Sequence, residues 1–178
     1  MNTSAANSAL DVAYWFMDKN IETQKLQHLL FLTQAHYAIS NDMQYFMPCI
    51  FICDETGFAE PSVAKIAHLG KPLGASGNID SRAESFLAEI WDTYGKLSLK
   101  ELDALIKNSP VYKKIYREGM KSIVQIKSVV ENFKPNSNIF GMEKKKVTFS
   151  QNGPVVIMPW KPRNLKLEIG NQKGISYE

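Results

Sequence analysis

The chain has 178 residues, a formal net charge of +3, 44% hydrophobic and 22% charged residues, values that fit a globular protein with one domain-sized core. No apolar run approaches the roughly 18 to 20 residues of a membrane-crossing helix. The N-terminal MNTSAANSALDVAYWF also lacks the basic n-region of a secretory signal, so a cytoplasmic protein without a membrane partner is expected.

Ala9 to Asp18 reads as a first helix, with Ser8 as its cap and Leu10, Ala13, Tyr14 and Met17 at core spacing. Asn20 to Glu22 breaks it. The next stretch, Thr23 to Ser40 (TQKLQHLLFLTQAHYAIS), carries two apolar arcs. Leu26, Leu29, Leu30, Thr33 and Tyr37 form one; Phe31, Leu32, Ala35, Ala38 and Ile39 form the other. A helix striped twice wants cover on two sides, which predicts the central helix of an all-α core, capped by Thr23 and ending near Asn41 and Asp42.

Tyr45 to Asp54 is rich in aromatic and β-branched residues and reads as a short strand or extended segment, placed at an edge by Pro48. Pro61 suits the first turn of a short helix running to Leu69. Gly70 to Asn78 reads as a loop. Its lysine follows the first glycine rather than the last and no Ser or Thr follows, so it lacks the order of a phosphate loop. Capping boxes at Ser81/Glu84 and Ser98/Glu101 open helices to about Tyr94 and Lys107. Ser109 and Pro110 then start a third, interrupted at Gly119. Met120 to Phe133 resumes helical spacing, with Ile123, Ile126, Val130 and Phe133 on one side.

After Phe133 the character changes. Residues 134–141 read as a linker, and Lys146 to Trp160 as two short strands around Gln151-Asn152-Gly153, a hairpin signal weakened by Pro154. From Glu143 to Glu178 seven basic residues stand against three acidic ones, a local +4 that leaves the remainder at −1. The expected fold is mostly α: one compact helical domain over residues 1–135 around a central buried helix, then a linker and basic β-hairpin tail over residues 136–178.

Little in the chain points to catalysis. His28 and His36 are eight residues apart, about 12 Å along one helix, too far to share an ion. His68, Cys49 and Cys53 have no spacing that requires convergence. Cys49 and Cys53 cannot bridge each other four residues apart on an extended segment, and neither sits where its thiol would be acidified, so both are expected as reduced thiols in or near the core. No serine lies in a nucleophile-elbow pattern, and no cofactor is implied. Lys144, Lys145 and Lys146 near Phe149, Trp160 and Arg163 could hold nucleic acid, although the helices carry no basic recognition face. Protein binding accounts better for Phe149, Val155, Ile157 and Trp160, with Arg163 at the rim, unless the hairpin covers its own domain's core.

Lys25-Leu26-Gln27, Leu29, Leu30, Phe31, Gln34 and Tyr37, followed by Phe86-Leu87, Ile90-Trp91, Tyr94-Gly95, Ser98, Glu101-Leu102 and Ser109-Pro110, resemble the Panacea-domain family. This is the group of SocA-like antitoxins and phage-associated GepA-type proteins, whose central helix carries a K-L-Q-x-L-L-Y/F-x-x-Q/A block. The resemblance spans about residues 8–133. The chain departs from the family at residues 53–61, where an E-A-W-x-x-G-P-V type segment is usual, and at Val111, where Trp is usual. The resemblance implies a scaffold in which Lys25, Leu26, Gln27, Leu30, Phe31, Tyr37, Trp91 and Tyr94 are structural. It also implies the function of a phage- or mobile-element antitoxin that binds a cognate protein toxin without catalysis; some members hand the toxin to a protease.

Overall fold

The computed structural model describes residues 4–68 and 79–133, together with the backbone of residues 146–150 and 153–157. The chain divides into two compact units, Met1–Met142 and Glu143–Glu178.

The first unit is mostly α and is built around the helix with two apolar arcs. Helix α1 spans Ala9–Met17 and α2 spans Thr23–Ser40. Every residue of α2 from Leu26 to His36 is buried, because helices and strands cover it on all sides: α1, α3 (Pro61–His68), α4 (Ser81–Ile90), α5 (Leu99–Asn108) and α7 (Ile126–Asn132) touch it, as does a small sheet. Phe31, at its middle, stacks on Phe58 at 3.9 Å between ring centroids and meets Phe51 and Phe133 edge-on.

The sheet has strands β1 (Ile52–Asp54), β2 (Gly57–Ala59) and β3 (Ser122–Ile123) in the order β2-β1-β3, antiparallel throughout. Pro48 precedes β1 and does not limit it: β1 is the middle strand, not an edge. The turn into β2 is closed by Asp54, whose carboxylate accepts from the N–H and hydroxyl of Thr56. Gly57 follows with φ of +120°, backbone that favours glycine.

Several local readings shift. Ser8 caps α1 as expected, its hydroxyl accepting from the N–H of Asp11. The buried face, however, is Ala9, Val12, Ala13 and Phe16, and Met17 is exposed. Leu10 and Tyr14 are only part-buried, so the stripe is rotated by one position. Thr23 is the first helical residue of α2 rather than its cap; Glu22 holds the cap position without a side-chain bond. Asp80, not Ser81, caps α4 by accepting from the N–H of Ala83. That helix passes into a π-helical turn at Trp91–Gly95. The Ser98/Glu101 box opens α5 and Ser109 caps α6 (Pro110–Ile115), both as read. Met120 to Phe133 is not one helix: Ile123 belongs to β3 and is exposed, Ile126 and Val130 are part-buried, and Val129 with Phe133 faces the core. The Gly70–Asn78 loop lies outside the described residues.

In the second unit β4 (Lys146–Ser150) and β5 (Gly153–Ile157) form an antiparallel hairpin whose register pairs Ser150 with Gly153 and Phe149 with Pro154. Both strands of such a ribbon are edges, where proline is tolerated.

Candidate protein-binding face

The polar residues of the α2 block hold the surrounding loops. Lys25 Nζ donates to the backbone carbonyls of Gly95 and Leu97, each at 2.7 Å. It thereby satisfies oxygens that the end of the π-helical turn leaves open. The Gln27 side chain accepts from the Glu60 N–H at 2.7 Å and donates to the Glu60 carbonyl at 3.4 Å, clamping the residue that precedes α3. Glu60 in turn caps α3 by accepting from the N–H of Val63 and the hydroxyl of Ser62. Gln34 Oε1 accepts from the N–H groups of Phe46 and Met47 at 3.0 and 3.4 Å. Leu26 and Leu30 are fully buried. Tyr37 packs edge-on against Phe46 and Phe86, and Trp91 lies 6.4 Å from Phe16 between ring centroids. Tyr94 hydroxyl and His36 Nε2 are 2.8 Å apart inside the core. Val111 is fully buried.

Burial favours the uncharged forms of His36, His28, Cys49 and Cys53. Burial pushes the His36 pKa down to about 3. Burial also lowers that of His28, against the opposing pull of Asp103, whose Oδ1 lies 3.6 Å from His28 Nε2 and whose Oδ2 is held by Lys107 at 2.9 Å. The Cys49 and Cys53 thiols are free, and burial raises them to about 12 and about 11. His28 and His68 line a cavity of about 650 Å³ beside the start of α2, whereas Cys49 lines a different groove. Among the described residues no group of three or more His, Cys, Asp and Glu side chains could hold a metal ion, and no helix is long and apolar enough to cross a membrane.

Among the described residues, exposed apolar side chains gather where the sheet meets α7. Because β1 and β3 pair Ile52 with Ile123, alternation sets Ile50, Ile52 and Ile123 on one face of the sheet. Phe51 and Cys53, on the other, are buried. Ile50 is 60% exposed, Ile123 64% and Tyr45 40%. With Phe31, Ala35 and Ile126 they border a groove of about 190 Å³. This surface escaped the sequence reading, which gave Ile123 to a helical core face. Ile123, Val124 and Ile126 fit either period, so the sequence carries no local signal that assigns Ile123 to a strand.

Of the tail residues, Phe149, Val155 and Ile157 lie in the hairpin. Its register sets Val155 and Ile157 in one alternating set and Phe149, with Val147 and Val156, in the other, so they do not share one face. Trp160 and Arg163 lie outside the described residues. Comparison of the chain with models of protein families, with curated proteins and with solved structures gives no match.

Proposed function

We propose that this chain is a protein-binding module, an antitoxin of the Panacea kind that neutralises a cognate protein toxin in the cytoplasm by direct contact and not by catalysis. The observation that carries the reading is the exposed apolar face of Tyr45, Ile50 and Ile123 around its groove, since contiguous apolar surface on a folded domain marks a binding site. The loop-holding roles of Lys25, Gln27 and Gln34 support a scaffold role for the α2 block. Phe149, Val155, Ile157, Trp160 and Arg163 are proposed as a second contact.

The test is co-expression with the product of the neighbouring reading frame, scored by growth rescue and by co-purification. Rescue with a stable complex is expected. Rescue that needs a host protease and yields no lasting complex makes the chain an adaptor. No toxicity, with binding of DNA or RNA that weakens steeply from about 50 to 200 mM salt, favours instead a nucleic-acid-binding regulator acting through the basic tail, whose seven basic residues against three acidic ones carry that second reading.

A further inference from the structure

We draw no further inference here: the strongest candidate, the cavity of about 650 Å³ walled by the start of α2, the β1–β2 turn and α3, carries none, because both ring nitrogens of His28, the buried side chain that lines it, are inaccessible and nothing in the structure shows what fills it.

Discussion

Polar side chains buried on α2 stabilise through what they hold. Gln27 closes both hydrogen-bonding groups of Glu60, which is 6% exposed. Leucine of similar size would fill the space and strand the N–H, while the carbonyl keeps the N–H of Ala64 at 3.0 Å. A stranded buried group costs about 1 to 3 kcal/mol, so Gln27→Leu is expected to lower unfolding free energy by about that amount, read from urea denaturation. The exposed neighbour Gln24 serves as control, with a change within about 0.5 kcal/mol. His36 makes a second case. Its folded pKa of about 3 lies below the ordinary value of 6.5, so the unfolded chain takes up a proton at a pH where the fold refuses it. Its contribution is complete above pH 6.5 and declines as pH falls towards 3. On the order of 3 to 5 kcal/mol should be lost across that window. Urea midpoints at pH 7, 5 and 4 check it; a midpoint flat between 7 and 4 in wild type, or an unchanged slope in His36→Gln, contradicts it.

Helix ends depend on a few neighbouring atoms, so they can be tested one residue at a time. Asp80 Oδ1 accepts from the N–H of Ala83 at 2.8 Å, while Ser81 is already helical. Asp80→Ala is expected to cost about 1 kcal/mol and Ser81→Ala less than half of that, measured by thermal unfolding. The same locality explains what could be read in the chain. Ser8, Ser98 and Ser109 were legible because a cap is decided within four residues. Asp80 and Ser81 were confused because both types cap. The burial of α2 was legible because two apolar arcs leave no solvent face, whereas the phase of α1 was not: Ala9, Val12 and Phe16 run beside Leu10, Tyr14 and Met17, and only distant neighbours choose between them. β3 was illegible for a related reason, since Ile123, Val124 and Ile126 satisfy either period until β1 pairs with them. No short-range pattern tells that Gln27 reaches Glu60, 33 residues away, and the binding face depends on pairings of that range.

At the scale of the whole molecule, two surfaces are proposed as contacts for the partner. Among the described residues the hydrophobic core of the first unit is drawn entirely from Ala6 to Phe133. A chain truncated to remove residues 143–178 is expected to unfold within about 2 °C of the full chain, a shift corresponding to well under 1 kcal/mol for a domain of this size. Its binding to the co-expressed neighbouring gene product then ranks the surfaces. If the groove anchors the partner, truncation weakens binding modestly, by less than about tenfold, while Ile123→Asp in the full chain weakens it more, because central apolar anchors carry most of an interface's energy. If the order reverses, the basic hairpin is the main contact and the groove is secondary. Salt adds an independent reading of the same pair: the tail has a net charge of +4, so a tail-dominated complex loses affinity steeply as salt rises, and a groove-dominated one keeps most of it.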